Sequence, residues 1–208
     1  MRFFDKFGDT IITRNHLPHW QQMGATYFVT WRLGDSMPRS LLDALYQKRD
    51  VWMKDHPQPW TEEVESEYHR LYSTEIERMM DLGHGTCILK TECRIILSEV
   101  LGKFGGERFV LHSWVAMPNH VHILFTLEDG IRLEDIVGAW KRYSSMKINR
   151  LSGGGGALWQ KDYYDRLIRD WEHFFRVARY IRKNPKKAKL ADGIFTLWEA
   201  DWVKRMLG

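Results

Sequence analysis

The chain has 208 residues, a formal net charge of +4 and 44% hydrophobic residues, enough to bury the core of one domain spanning 1–208. No run of apolar residues is long enough to cross a bilayer, and no apolar leader opens the chain, so membrane spanning and secretion are unsupported. The two cysteines, Cys87 and Cys93, form no CxxC pair, which excludes a disulfide framework or zinc knuckle and favours the reducing cytoplasm.

Hydrophobic periodicity and turn residues divide the chain into strands and helices. In chain order they predict a strand over 25–33, two helices over 39–80, a helix over 87–104, strands over 109–116 and 120–127, a helix over 133–150, a strand over 163–168 and a final helix from Asp170 to Pro185. The first two helices are separated at Pro57-Gln58-Pro59, and we expect this acidic pair, about 37–82, to be an insertion on the core.

This order of elements indicates an α+β fold. We expect a ferredoxin-like antiparallel sheet with helices packed on one face and the helical insertion after the first strand. The glycine run 153–156 is interpreted as a flexible connector. The tail with Trp198 and Trp202 is interpreted as a segment that packs on the domain, with an aromatic surface for bases as the alternative.

A His-x-His pair opens the predicted strand 120–127. Side chains alternate along a strand, so His120 and His122 point to the same face. Two imidazoles on one rigid strand can bind a divalent cation at little ordering cost. The plain alternative is that both histidines sit on a half-buried sheet face without a ligand.

The last predicted helix carries a second candidate group. Asp170 is a good N-cap, and Pro185 is expected to end the helix. At 100° per residue, Tyr180 and Asn184 lie together on one edge of the buried stripe, from which they can reach towards the adjoining sheet. The alternatives are a tyrosine at the rim of the core and an asparagine that ends a helix.

Four segments in this order and spacing resemble one family. They are Pro118-Asn-His-Val-His122, Leu158-Trp-Gln160, Tyr163-Tyr-Asp-Arg-Leu-Ile-Arg169 and Tyr180-Ile-Arg-Lys-Asn-Pro185. Together they are similar to the REP-associated tyrosine transposases, which belong to the single-tyrosine HUH transposases, named for a histidine, a hydrophobic residue and a histidine. Leu17-Pro-His-Trp20, the strand after it and Gly83-His-Gly85 are also similar, so the resemblance extends over about residues 17 to 190.

The resemblance implies a fold, a reaction and a set of site residues. It implies that His120, His122 and Asn184 bind a divalent metal ion, Mg²⁺ or Mn²⁺, and that Tyr180 is the nucleophile. The expected activity is metal-dependent cleavage and strand transfer of single-stranded DNA beside a hairpin of the repetitive extragenic palindrome type. A 5′-phosphotyrosine adduct and a free 3′-hydroxyl would conserve the bond energy, so no ATP is needed.

Charge along the chain is uneven and favours a nucleic-acid partner. Residues 139–190 hold fourteen Lys or Arg against four Asp or Glu, whereas residues 35–81 hold eleven acidic against six basic residues. The residues predicted to contact DNA are Lys141, Arg142, Arg176, Arg179, Arg182, Lys183, Lys186 and Lys187. A solvated helix face is the plain alternative for any one of them.

Two other functions remain open from the sequence. One is a protein of the same fold that binds DNA but has lost cleavage. The other is a small-molecule metallohydrolase, in which Asp165 or Glu128 would join the histidines as a carboxylate ligand. Tyr143, Tyr163 and Tyr164 are alternative nucleophiles, and the chain is compatible with a monomer or a homodimer.

Overall fold

The computed structural model describes residues 1–14, 18–57, 60–81, 85–86 and 89–208. Gly83, His84 and Cys87, which entered the sequence argument, lie outside the described residues. The strands are β1 (Ile11–Arg14), β2 (Pro18–Gln21), β3 (Thr26–Arg32), β4 (Phe109–Ala116), β5 (His120–Leu127), β6 (Tyr164–Leu167) and β7 (Thr196–Glu199). The α-helices are α1 (Arg39–Asp55), α2 (Glu62–Tyr68), α3 (Thr74–Asp81), α4 (Thr91–Gly102), α5 (Leu133–Ser152), α6 (Trp171–Lys187) and α7 (Asp201–Leu207), and a π-helical segment, His69–Ser73, joins α2 to α3.

Five strands form one open antiparallel sheet in the order β6-β3-β5-β4-β7, and β1 and β2 form a separate two-stranded hairpin. The predicted α+β class with an antiparallel sheet is therefore confirmed. The strand with the His-x-His pair, β5, lies at the centre of the sheet, where every one of its residues is buried. Among the described residues, no helix is both long and apolar enough to cross a membrane.

Helices cover both faces of the sheet, which corrects the prediction that they pack on one face. Tyr27, Val29 and Trp31 of β3 belong to an apolar cluster with residues of α4 and α5. Phe28 points the other way and joins a second cluster with residues of α6 and α7. Both alternating registers of β3 and β5 are buried: the odd-numbered residues are apolar, and the even-numbered ones combine Phe28 and Leu124 with polar side chains that need cover from α6.

The helical segment between β3 and α4 has an apolar cluster of its own. Leu45, Tyr68 and Tyr72 are buried there and pack against partly buried side chains that include Trp52 and Trp60. This cluster is separate from the two that cover the sheet. The segment is therefore stabilised largely by its own aromatic contacts.

Helix α6 continues past Pro185 to Lys187, whereas the sequence predicted that it ends at the proline. Its start is as predicted, since Asp170 accepts a hydrogen bond from the backbone N–H of His173. Pro185 lacks an N–H, but the backbone N–H of Ala188 still donates to the Asn184 carbonyl. The extra turn places Lys187 on the same side of the helix as Tyr180, seven residues earlier.

A buried ion cluster ties the β1–β2 hairpin to β6. His19 of β2 is 1% exposed, with Nε2 at 3.1 Å from Asp162 Oδ1 and Nδ1 in contact with Asp165 Oδ1. The ring also stacks on Tyr163, with centroids 4.4 Å apart. Burial lowers the pKa of His19, but the hydrogen bonds and charges of the two carboxylates outweigh burial and raise it to about 9.

We expect the free energy of unfolding to fall as the pH rises from about 6.5 to about 9. The pKa of His19 is higher in the folded protein than in the unfolded chain. The stabilisation from protonated His19 is therefore fully present at a pH below the unfolded-state pKa, and it is lost as the pH rises through the folded-state pKa. Urea unfolding at a series of pH values measures this. In His19→Gln the same part of the pH dependence should vanish, and stability near pH 6 should drop by about 3–5 kcal/mol. An unchanged pH profile in that variant would contradict the assignment.

Candidate active site

His120 and His122 face the same side of the sheet and meet at their Nε2 atoms. Their exposed fractions are 1% and 0%, and the two Nε2 atoms are 3.1 Å apart. Strand alternation gives both side chains the direction of Leu124 and Phe28, so they point towards α6. The predicted common face of the two histidines is therefore present in the structure.

The Nδ1 atom of each histidine is held by a neighbouring side chain. His120 Nδ1 is 2.7 Å from Asn119 Oδ1, and His122 Nδ1 is 2.7 Å from Thr30 Oγ1. An amide oxygen can only accept, so His120 donates from Nδ1 and its Nε2 keeps a lone pair. The Thr30 hydroxyl can donate or accept, and in its accepting state it leaves the His122 Nε2 lone pair available as well.

Burial keeps both imidazoles neutral. Burial and, as a smaller effect, the positive charge of Lys187 together lower the pKa of His120 to about 3. Burial also holds the pKa of His122 well below its usual value, with His120 and Lys187 contributing. Neutral imidazoles with free Nε2 lone pairs are the form that binds a metal ion.

Tyr180 reaches the histidine pair from α6. Its Oη lies 3.4 Å from His122 Nε2, and the two ring centroids are 5.3 Å apart. The phenol ring also packs edge-on against Phe28, with centroids 5.9 Å apart, while the ring of Phe28 stacks on His122. Phe28 therefore holds the rings of His122 and Tyr180 in a fixed orientation to each other. Tyr180 remains partly exposed to solvent.

Asn184 is buried beside this arrangement without a hydrogen-bond partner. It follows Tyr180 by one turn of α6 and is 1% exposed, and neither Nδ2 nor Oδ1 has a partner among the described residues. Lys187, one turn further, has its Nζ 5.9 Å from the centre of the Tyr180 ring. A buried amide without partners costs free energy unless a ligand binds it, so Asn184 is a candidate for a group that receives an ion.

The three groups fit a hard divalent cation. At a metal–ligand distance of about 2.1 Å, two neighbouring ligands of an octahedral ion lie about 3.0 Å apart, close to the 3.1 Å between the two Nε2 atoms. The Asn184 amide would add one neutral oxygen. Among the described residues, no cluster of three or more His, Cys, Asp and Glu side chains offers another metal site.

The predicted DNA-contacting residues fall on two sides of the sheet. Exposed positions on α6, beside or beyond Tyr180, are Arg176, Arg179, Lys183, Lys186 and Lys187. Arg182 is on α6 too, but its guanidinium is engaged by Glu199, with Nε 3.0 Å from Oε1. Lys141 and Arg142 are on α5, which covers the opposite face, and Lys141 Nζ donates to the Lys161 and Asp162 carbonyls.

The alternative site residues are mostly remote from the histidine pair. Asp165 is buried with His19 on the α5 side of the sheet, and Glu128 follows the far end of β5. Tyr163 belongs to the α5-side cluster, and Tyr143 is an exposed residue of α5. Tyr164 shares the face of His122, but its Oη accepts from Arg166 Nε at 3.0 Å.

Residue identity alone did not reveal the groups that support the site. Thr30 and Phe28 were part of a predicted strand, and Asn119 was part of the His-x-His motif, without assigned roles. The pairing register between β3 and β5 contains the information that identifies one of these residues. A strand paired with β5 in antiparallel fashion places a residue directly opposite His122, and that residue is Thr30.

Comparison with known proteins identifies a family and related sequences. The family model described as transposase, IS200 like, matches residues 61–184, a range that contains both histidines, Tyr180 and Asn184. A REP-associated tyrosine transposase of Escherichia coli K12 is 23% identical over 100 residues, which are 48% of this chain and 58% of that protein. The chain thus matches little more than half the length of this relative.

A solved structure gives independent support for the fold. It is a REP-associated tyrosine transposase bound to a REP hairpin, and it superposes with a TM-score of 0.51 at 18% identity over 83% of this chain and 73% of that chain. This likeness concerns the fold. Because the family model matches well over half of the residues, the chain belongs to the IS200-like transposase family.

Proposed function

We propose that this protein cleaves and rejoins single-stranded DNA with Tyr180 as the nucleophile and a divalent metal ion as cofactor, in the manner of the HUH enzymes. One observation carries the proposal: Tyr180 Oη lies 3.4 Å from the Nε2 of His122, which itself lies 3.1 Å from the Nε2 of His120. A phenol held against a buried pair of neutral imidazoles is the arrangement of a nucleophile beside a metal centre.

In the proposed reaction the Tyr180 oxygen forms a bond to phosphorus and the phenol loses its proton. The bond from phosphorus to the 3′ oxygen breaks, and that oxygen leaves as a 3′-hydroxyl after taking up a proton. The 5′ phosphate stays on Tyr180, so the energy of the phosphodiester is conserved. A 3′-hydroxyl of the same or another strand can then reverse the attack and complete strand transfer.

His120, His122 and Asn184 would hold the metal ion, Mg²⁺ or Mn²⁺. When bound, the ion polarises a non-bridging phosphate oxygen and orients the phosphate for in-line attack. The protein's own part is to keep both Nε2 lone pairs aimed at one point, through Asn119 and Thr30. Phe28 keeps the phenol ring oriented between the strand and the helix.

The DNA partner we propose is an unpaired strand next to a hairpin. Membership of the transposase family supports a DNA substrate, and the exposed lysines and arginines of α6 lie on the element that carries Tyr180. A partly exposed Tyr180 requires a phosphate that can bend into the groove, which favours unpaired DNA over uniform duplex. The predicted cytoplasmic location suits such an enzyme.

The metallohydrolase alternative is disfavoured by the position of its carboxylates. Asp165 is committed to His19 on the other face of the sheet, and Glu128 is eight residues along the chain from His120, beyond the end of β5. A DNA-binding protein that has lost cleavage would have no need for an unpartnered buried Asn184 beside the tyrosine.

Tyr180→Phe should abolish the covalent protein–DNA adduct while DNA affinity changes less than about twofold, because the ring keeps its contacts with Phe28 and only the nucleophilic oxygen is removed. The measurement is a denaturing gel after incubation with a labelled single-stranded hairpin DNA and Mn²⁺. Tyr164→Phe is the matched control on the same face of the sheet and should form the adduct. The reverse pattern would move the nucleophile to Tyr164.

His122→Ala should lower the affinity for Mn²⁺ by well over tenfold. Thr30→Val should lower it by about 10-fold to 100-fold, because the hydrogen bond between the Thr30 hydroxyl and His122 Nδ1 is lost. Asn184→Ala should have a milder effect, since water can replace one neutral oxygen ligand. Titration calorimetry with the metal alone measures these affinities. His56→Ala, at the end of α1, serves as the control, and equal Mn²⁺ binding by it and His122→Ala would remove the proposed metal centre.

A further inference from the structure

Two rows of side chains cross the sheet on the face of the histidine pair. The first runs from His122 through Thr30 to Tyr164, which are register partners in β5, β3 and β6. The second row lies two residues along each strand and runs through Phe28 to Arg166. Arg166 is thus the neighbour, across the strands, of the phenylalanine on which His122 and Tyr180 both pack.

Helix α6 lies alongside these rows and matches their spacing. Its Tyr180 contacts His122 at one end of β5, and its Phe174 contacts His112 towards the other end. From Tyr180 to Arg176 the helix rises about 6 Å, and from Tyr164 to Arg166 the strand advances about 6.6 Å. Arg166 and Arg176 therefore lie at the same level, on the two sides of the gap between the sheet edge and α6.

A third arginine and a neutral histidine complete this region. The backbone N–H of Arg169 donates to His173 Nδ1 at 3.3 Å, which holds the segment after β6 against the first turn of α6. Burial lowers the pKa of His173 to about 4, and the positive charges of Arg166, Arg176 and Arg169 act in the same direction. His173 is therefore neutral, and the charges of the three arginines act on this one side chain, opposed in part by Asp170.

Carboxylates neutralise the charges of Arg166 and Arg176 only weakly. Asp170 caps α6 by accepting from the backbone N–H of His173. Glu172 is 3.4 Å from Arg176, but both side chains are largely exposed, and such pairs contribute little. Arg166 donates to the Tyr164 hydroxyl, and in the described part of the chain it has no ion pair with a carboxylate.

We propose that Arg166 and Arg176 form the two sides of a cleft that binds a phosphate of the substrate strand next to the scissile phosphate at Tyr180. This inference rests on the proposed function, because it takes the attacked phosphate to lie at Tyr180. Guanidinium groups bind phosphate oxygens in pairs of parallel hydrogen bonds. Arg166 is partly exposed and Arg176 exposed, and Arg176 lies about one helical turn from Tyr180. The cleft would hold the strand in place, so that the scissile phosphate is presented in one orientation.

The cleft is tested by binding in EDTA, where cleavage does not interfere. The probe is a fluorescent single-stranded hairpin DNA with an unpaired tail, and its affinity is measured over a range of salt concentrations. Arg166→Gln should bind about tenfold more weakly, and its slope of log affinity against log salt should be lower by about 0.7, the value for one lost phosphate contact. Arg166→Lys should keep the wild-type slope because it keeps the charge. Arg150→Gln, an exposed arginine on α5 on the opposite face, should match the wild type in both quantities.

A second measurement identifies the phosphate. A series of oligonucleotides each carries one neutral methylphosphonate linkage, at a different position in each. At one position the affinity of the wild type should fall about tenfold. At that position the affinity of Arg166→Gln should not fall further. Three results would overturn the cleft. Arg166→Gln could keep the wild-type salt slope, or its loss of affinity could add to the loss from the methylphosphonate at every position. The third is a wild-type protein that does not bind the single strand. If Arg166→Gln shows the predicted lower salt slope but the wild type forms no Tyr180 adduct, the cleft stands and the proposed cleavage is refuted.

Discussion

The central strand β5 is buried on both faces, and this constraint determines the rest of the site. Its odd-numbered residues Val121, Ile123 and Phe125 fill the core below α5, so His120 and His122 have to be buried on the other face. Buried imidazoles are tolerated when they are neutral and hydrogen-bonded. Asn119 and Thr30 supply the hydrogen bonds, and the remaining Nε2 lone pairs meet at one point.

Helix α6 places a phenol against this buried pair. Its apolar stripe, with Phe174, Ala178 and Ile181 fully buried, sets the rotation of the helix on the sheet. That rotation puts Tyr180 at the edge, where it can touch His122 and also reach solvent. One packing arrangement therefore explains both the closeness of the phenol to the histidines and its partial exposure to solvent.

Several elements could be predicted closely because their signals are local. The limits of β4 and β5 were predicted correctly, and the N-cap of α6 was identified from Asp170 alone. The β1–β2 hairpin and β7 were not predicted, since each is a four-residue strand whose pairing depends on distant partners. A bulge between Leu111 and Ser113 in β4 places Trp114 on the face of Leu111, against simple alternation.

By itself, the sequence determined which side chains share a face: His120 with His122 through strand alternation, and Tyr180 with Asn184 through helical periodicity. Only the tertiary structure decided that these two faces meet, because the contact joins residues 58 positions apart and depends on how α6 lies across the sheet. It also decided which basic residues lie near the site. Lys141 and Arg142 are on the far face, Arg182 is paired with Glu199, and Arg166 lies opposite Phe28 on the face of the histidine pair, since strand register and helix packing are properties of the whole fold.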